Sequence, residues 1–439
     1  MTRLQWPRLL SDYRCPRPGN EPRPSRDDPF RSAFEADYDR IVYSAAFRRL
    51  ARKTQVYPTA SHEHIHNRLT HSIEVASVGR SFGKRMADLL CRRGELPENR
   101  TPEDVCQILQ AACLAHDIGN PPFGHGGEYA IRQWVRDHAE QVFGTHGETF
   151  EDGLRRDWLI FEGNAQGFRL AARADNPQAG YMRLTYATLG AMVKYPWDSC
   201  DTRALKQQKF NVFSSERKLF EQTWSHMDLG TGARACRHPL SFLSEAADDI
   251  CYRILDLEDA VDMNVLDETQ VRPVLLQILG SDASHLPLSV LRGQAIQTLV
   301  NATWEIFEDQ YEAIMHGQRT DDLKTSLADS LADALEQVAV HYTTIFAHRL
   351  KVSTEIGAYQ ALGRIVGTLS GATRQLSERG GYDHTDFLAK RCMMLAWGER
   401  YVRQHQHRPY AWWLHQVMDY FAGLTDNHAM QLSQQIAGT

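Results

Sequence analysis

The spacing of apolar residues between positions 73 and 89 limits this chain more than any other feature. Ile73, Val75, Val78, Phe82, Met86 and Leu89 recur at mixed three- and four-residue intervals. That rhythm follows the turn of an α-helix rather than the two-residue alternation of a strand, and it predicts a helix over 68–91. Thr101-Pro102-Glu103-Asp104 then reads as an N-cap with Pro at the first helical position. The helix it opens carries Val105, Ile108, Leu109, Ala112 and Leu114 and ends near Asp117. Gly119-Asn120-Pro121-Pro122 must be irregular, because each Pro removes a donor and restricts its neighbour. Further helices are expected over 127–140, 240–266, 290–316, 323–350, 359–376 and 387–404. Strand-like runs are short and rare. The expected fold class is all-α, with at most a small hairpin near 52–59, where Lys53-Thr54-Gln55-Val56-Tyr57 precedes Pro58.

The first thirty residues break the pattern. They hold six prolines and six arginines, so they are expected to form an extended arm over the body or over a neighbouring subunit. Hydrophobic residues make up 42% of the 439 and charged residues 24%, proportions that support a large buried core without staples. A net charge of −6 argues against a general polyanion-binding surface. The eight cysteines form no CxxC pair and read as small apolar residues in a reducing compartment. The chain opens on Met1-Thr2-Arg3-Leu4-Gln5-Trp6 rather than an apolar leader, and no apolar run approaches the ~20 residues that span a bilayer. A cytoplasmic location is expected.

Chemistry concentrates at His116-Asp117. The pair closes an apolar helix and runs into Ile118-Gly119-Asn120-Pro121-Pro122-Phe123-Gly124-His125-Gly126-Gly127-Glu128. Two histidines and two carboxylates at a buried helix end are costly unless compensated, and a divalent metal is the economical compensation. His71 on the preceding helix, and Asp248 or Asp249 on a later one, can complete a mixed N/O set. Such a set suits six-coordinate Mn, Fe, Co, Ni or Mg better than a closed zinc site. His125 follows the metal pair by nine residues, and Glu128 comes three residues later. They are candidates for an acid–base group and the carboxylate that orients it.

The order His, His-Asp, distant Asp resembles the HD-domain phosphohydrolases. Arg-Leu-Thr-His-Ser at 68–72, His-Asp-Ile-Gly-Asn-Pro-Pro-Phe-Gly-His-Gly-Gly-Glu at 116–128, Phe-Glu-Gly-Asn-Ala-Gln at 161–166 and Ala-Ala-Asp-Asp-Ile at 246–250 are similar to the bacterial dGTP triphosphohydrolase family. Thr354-Glu355-Ile356-Gly357-Ala358-Tyr359 and Gly423-Leu424-Thr425-Asp426 carry a fainter likeness. The resemblance implies a Pro/Arg-rich arm over 1–37, an HD-type metal-dependent catalytic core over 38–270, and a helical region over 271–439 that completes the pocket and the subunit contacts.

It further implies that His71, His116, Asp117 and Asp248 ligate a divalent metal ion (Mn, Mg, Co or Ni), with His125 and Glu128 catalytic. Asp248, Tyr252 and Asp256 support that choice over Asp249. At i, i+4 and i+8 they face one way, whereas Asp249 is turned about 100° aside. By the same resemblance Gln55, Tyr252 and Asp256 contact the sugar, Lys194 and Tyr195 the triphosphate, and Glu355 lies near the base; Arg68, three residues before His71 on the same helix face, and Lys209 are further candidate cations for the triphosphate. The implied reaction converts a dNTP and water to deoxynucleoside and tripolyphosphate. An HD enzyme acting on other nucleotides and a nucleotide-sensing regulator are the alternatives. The resemblance implies a homo-oligomer, a hexamer by family likeness, with single-stranded DNA or a nucleotide as an effector in some members. Outside these motifs, His62, His64 and His66 read as an exposed turn, and Trp412-Trp413 with Tyr410 and Tyr420 as a helix packing on a neighbouring subunit.

Overall fold

The computed structural model describes residues 2–17, 20–26, 28–56, 65–144, 152–173 and 182–438. These form twenty-two α-helices, and their only sheet is a two-stranded antiparallel hairpin. The chain is all-α, as its periodicity predicts. No described helix is long and apolar enough to cross a membrane.

The helix expected over 68–91 runs Arg68–Arg93. Asn67 caps it, accepting from the amides of Leu69 and Thr70, and Gly94 ends it in the left-handed conformation. Val75, Phe82, Met86 and Leu89 are buried, while Ile73 is half exposed and faces away from the core. The neighbouring Pro102–Ala115 helix begins with a reciprocal capping box between Thr101 and Asp104. These two helices make the most extensive helix pair in the molecule.

Elsewhere boundaries moved. The expected 290–316 helix breaks into Leu288–Asp309 and Tyr311–Met315. The expected 323–350 helix starts as a 3-10 turn, continues as Asp329–Ala347 and stops at extended His348. A 30-residue helix, Arg349–Glu378, follows. Pro273 lies inside the Glu268–Leu279 helix, where proline's helix-breaking reputation hides the element from sequence reading.

The small hairpin expected near 52–59 falls partly outside the described residues, which stop at Val56 and resume at Ile65. Within the described part, Leu50–Arg52 is a 3-10 turn, Thr54 forms an isolated antiparallel bridge with Asn67, and the Thr54 amide donates to the Asp426 carboxylate (2.9 Å). The observed hairpin pairs Tyr13–Arg14 with Arg23–Pro24, inside the arm. That arm lies on its own body. Trp6, Leu9, Leu10 and Cys15 are buried, and the Trp6 indole donates to the Tyr311 hydroxyl (2.7 Å).

Apolar side chains collect in two clusters. One joins the arm, the Arg68–Arg93 and Pro102–Ala115 helices, and the helices between 239 and 347. The other joins Gly124–Asp137 and Ala139–Phe143 to the helices after Arg349. Trp413 and Tyr410 belong to this second core, and the Tyr410 hydroxyl donates to the Val142 carbonyl (2.6 Å). They therefore serve their own chain's packing, not a subunit face. Among the cysteines Cys15, Cys106, Cys113, Cys236 and Cys251 are buried, whereas Cys91 is exposed.

Candidate metal and nucleotide site

His116 sits at the C-cap of the Pro102–Ala115 helix, where its Nδ1 lies 2.7 Å from the Cys113 carbonyl. A proton on Nδ1 makes that contact a hydrogen bond and leaves Nε2 as a lone pair. Nε2 is buried with no hydrogen-bond partner. His71, from the first turns of the Arg68–Arg93 helix, and Asp117 bring ligand atoms within 4.8 Å of each other and of His116. Asp248, on the Pro239–Asp262 helix, completes the group: its Oδ1 is 3.2 Å from His71 Nε2 and 3.3 Å from His116 Nε2. Two imidazole nitrogens and two carboxylates thus converge on an orphaned buried lone pair. That donor set fits a divalent metal ion.

Cations flank the acids. Arg68 donates to Asp117 Oδ2 (2.6 Å) and Lys194 to Asp248 Oδ2 (2.6 Å). Burial raises the Asp117 carboxyl, but the charges of Arg68, His116 and His71 outweigh it and hold the group at about 2. For Asp248, too, burial is overcome, chiefly by Lys194 and His116, and its carboxyl lies well below the ordinary range. Asp249 also lines the cavity over this cluster but pairs with Lys324 (2.8 Å).

His125 stands at the start of the Gly124–Asp137 helix, its ring more than half exposed. Its Nδ1 lies 2.8 Å from Glu128 Oε2, and Glu128 Oε1 accepts from the Gly163 amide (2.7 Å). Glu128 is buried, yet the positive charges around it, His125 first, hold its carboxyl well below the usual range. The Phe-Glu-Gly-Asn motif therefore supports the segment that carries His125 and Glu128. A Cβ on Gly119 would stand 2.0 Å from the Gly167 nitrogen, and one on Gly163 would stand 2.2 Å from Asn120 Oδ1. Only glycine lets these two segments touch. Glu162 adds a second buried carboxylate, held by Arg132 (3.1 Å) and Lys209 (3.1 Å).

A cavity of about 570 Å³ opens over this chemistry. Gln55, Arg68, His71, His116, Asp117, His125, Lys194, Tyr195, Lys209, Asp248 and Tyr252 all line it. Gln55 Oε1 is buried there without a partner. Two expected site residues do not reach the wall. Glu128 stands behind His125, and Asp256 lies behind Tyr252, accepting from the Tyr342 hydroxyl (3.1 Å). The Tyr252 and Tyr342 rings stack at 5.3 Å, and Tyr342 stacks in turn on Phe346 at 5.2 Å.

Phe346, Lys351, Thr354 and Glu355 also line the cavity, and Glu355 packs against Gly126 beside His125. Of these, sequence reading singled out Glu355 alone; Phe346 and Lys351 are ordinary helix residues until the fold brings them in. Asn120, whose amide donates to Asp117 Oδ1, and Lys53 were missed as well. Lys53 is wholly buried, and burial lowers its amine to about 7. It donates to the Asn120 carbonyl (2.5 Å) and to the Ala422 carbonyl (2.6 Å), tying the catalytic loop to the C-terminal helices. Asp426, in the Gly-Leu-Thr-Asp segment, accepts from the Phe123 amide (2.9 Å), fixing that residue in the left-handed region at φ 65°. His66 is not an exposed turn residue: it bridges Asp259 (2.7 Å) and Glu74 (3.2 Å). His62 and His64 lie outside the described residues.

Fold and donor set together define an HD-domain phosphohydrolase, and the HD domain family model matches residues 68–156. Similarity extends well beyond that span. A deoxyguanosinetriphosphate triphosphohydrolase-like protein of Pseudomonas aeruginosa is 42% identical, covering 99% of each chain. One from Synechocystis is 35% identical over 99% of each. A deoxyguanosinetriphosphate triphosphohydrolase of Klebsiella pneumoniae is 36% identical over 62% of this chain and 57% of that protein. The chain belongs to the deoxyguanosinetriphosphate triphosphohydrolase family.

Proposed function

We propose that this protein is a metal-dependent triphosphohydrolase of deoxynucleoside triphosphates, dGTP among them, releasing deoxynucleoside and intact tripolyphosphate. One observation carries the reading: a four-residue donor set and a carboxylate-held histidine open onto one cavity already lined by Arg68, Lys194 and Lys209. His71, His116, Asp117 and Asp248 would hold the divalent metal ion (Mn, Mg, Co or Ni), whose chemistry there is Lewis-acid polarisation of a phosphoryl oxygen.

The chain's own residues supply the rest. Arg68, Lys194, Tyr195 and Lys209 bind the triphosphate, which brings about four negative charges into the cavity. Water adds to the α-phosphorus and gives up one proton to solvent, the bond from phosphorus to the 5′-oxygen breaks, and that oxygen takes up one proton as it leaves. His125 holds that proton at Nε2, because Nδ1 is committed to Glu128. The Tyr252 ring, backed by Tyr342 and through it by Asp256, presents a rigid aromatic face to the sugar. Such a face packed under C2′ excludes a ribose hydroxyl sterically, and Gln55 offers an unpaired oxygen beside it.

The test is a panel of four dNTPs and four NTPs with Mn, Mg, Co and Ni, with deoxynucleoside and tripolyphosphate both quantified. Stoichiometric tripolyphosphate from dNTPs supports the proposal. Inorganic phosphate as the sole phosphorus product, or no turnover under any condition, overturns it.

A further inference from the structure

Two stretches of the cavity wall share one support. Thr54, Gln55 and Val56 line the side that carries the unpaired Gln55 oxygen, and Phe123, His125 and Gly126 line the side that carries the proposed proton donor. Behind both stands Asp426, buried and not itself part of the wall. Its Oδ2 accepts from the amide (2.9 Å) and the hydroxyl of Thr54, and its Oδ1 accepts from the Phe123 amide (2.9 Å). Asp426 lies 372 residues from Thr54 and 303 from Phe123.

An acid in the first turn of a helix ordinarily serves that helix. The Asp426–Ala437 helix is already capped by Thr425, whose hydroxyl accepts from the His428 amide (3.4 Å). The Asp426 carboxylate turns back instead to two other segments, and both of its oxygens are used there. Lys53 closes the same joint from the far side of Thr54, donating to the Asn120 and Ala422 carbonyls (2.5 and 2.6 Å). Phe123 depends most on this arrangement. It is the N-cap of the Gly124–Asp137 helix, has no side-chain cap of its own, and stands at φ 65°, where an L side chain stays only when its surroundings impose it. The direction in which His125 leaves the loop is therefore set at the Phe123 amide.

We propose that Asp426 is a positioning residue that fixes Gln55 and His125 relative to each other, so that choice of sugar and rate of hydrolysis depend on one remote carboxylate. The inference rests on the dNTP reading above and extends it to a residue that does not touch the substrate. Any shift of the Thr54 main chain carries Gln55 with it, and any swing of the Phe123 amide carries the turn that holds His125. Losing the carboxylate releases both.

Full-length variants are compared by single-turnover hydrolysis of dGTP, by equilibrium affinity for dGTP and GTP in metal-free buffer, and by metal content. Asp426→Ala should keep its metal and slow the single-turnover step roughly tenfold, with a similar shrinkage of the preference for dGTP over GTP, the scale of one lost charge-assisted hydrogen bond on each side. Thr54→Val removes only the hydroxyl donor and keeps the side-chain shape, so it should shrink the preference while the rate stays within about twofold. Thr54→Ser, which keeps the hydroxyl, should retain the preference. Leu432→Ala weakens the same C-terminal helix through its buried apolar side and should lower stability without changing rate or preference. If Asp426→Ala does not fold, the Thr54 pair decides. A preference within twofold of wild type in Asp426→Ala or Thr54→Val overturns the proposal and leaves the proposed function standing, as does a Leu432→Ala protein that reproduces both losses. A wild-type protein that does not favour dGTP over GTP overturns the proposed sugar recognition, and this inference with it.

Discussion

Replacing Glu128 by Gln is the most discriminating perturbation of the proposed chemistry, because the carboxylate serves two N–H donors at once. Its Oε2 faces His125 Nδ1 at 2.8 Å and its Oε1 faces the Gly163 amide at 2.7 Å. A carboxylate offers acceptors on both sides, whereas glutamine offers one oxygen and one amino group. If the oxygen stays with Gly163, an N–H confronts His125; if it turns to His125, an N–H confronts Gly163. Either way one charge-assisted bond is lost, worth about 1.5–3 kcal/mol. At ~1.4 kcal/mol per tenfold, the chemical step should slow by roughly 10- to 150-fold if the whole loss falls on the imidazole's orientation. The assay is single-turnover hydrolysis of dGTP beside substrate affinity and metal content. Metal and affinity should stay near wild type while the rate falls. His125→Ala should lose more, in the ~10²–10⁴-fold range typical of an acid–base group. A single-turnover rate within twofold of wild type in Glu128→Gln refutes the idea that Glu128 works by holding His125. A loss of metal that parallels the loss of rate refutes it equally.

Other expectations follow from the same geometry. Asp117→Ala and Asp248→Ala should lose bound metal and turnover together, whereas Asp249→Ala should keep the metal, since its carboxylate is engaged with Lys324. Elemental analysis of the purified variants decides, and full metal occupancy in Asp248→Ala contradicts the ligand set. Gly119→Ala should cost about 3 kcal/mol or more, because the added Cβ meets backbone atoms of Gly163 and Gly167 that can yield only by moving a helix; denaturant unfolding within 1 kcal/mol of wild type contradicts that contact. His66, raised to about 10 by its hydrogen bonds to Asp259 and Glu74, contributes stability that is fully present below its ordinary value near 6.5 and is lost as pH rises toward about 10. The upper bound is about 5 kcal/mol, and solvent screening of the half-exposed Glu74 reduces it to roughly half. His66→Gln should flatten the fall of stability between pH 7 and 9.5, and parallel pH–stability curves for the two proteins argue against the bridge.

Local pattern carried far in this chain. Helical spacing and capping residues located the Arg68–Arg93 and Pro102–Ala115 helices to within two residues, because an apolar stripe and a capping box are written in neighbouring positions. His71, His116, Asp117 and an acid at 248 or 249 were legible as ligand types, and the resemblance to the HD phosphohydrolases chose Asp248 among them. The exposed reading of His66 failed for the opposite reason. Its ring is held by Asp259, 193 residues away, and nothing next to it in the chain announces that partner.

By itself, then, the sequence determined the helical class, which follows from local periodicity, and it offered a set of candidate ligands through their chemistry and the family resemblance. Tertiary structure alone decided which expected residues reach the cavity and which stand behind it. Glu128 and Asp256 became supports for His125 and Tyr252 because burial depth depends on what packs over a side chain, not on its own identity. The same packing brought Phe346 and Lys351 to the cavity wall and set Lys53 between the Asn120 and Ala422 carbonyls. Contacts of that kind join residues whose separation along the chain has no fixed period, so they arise only when the helices have docked.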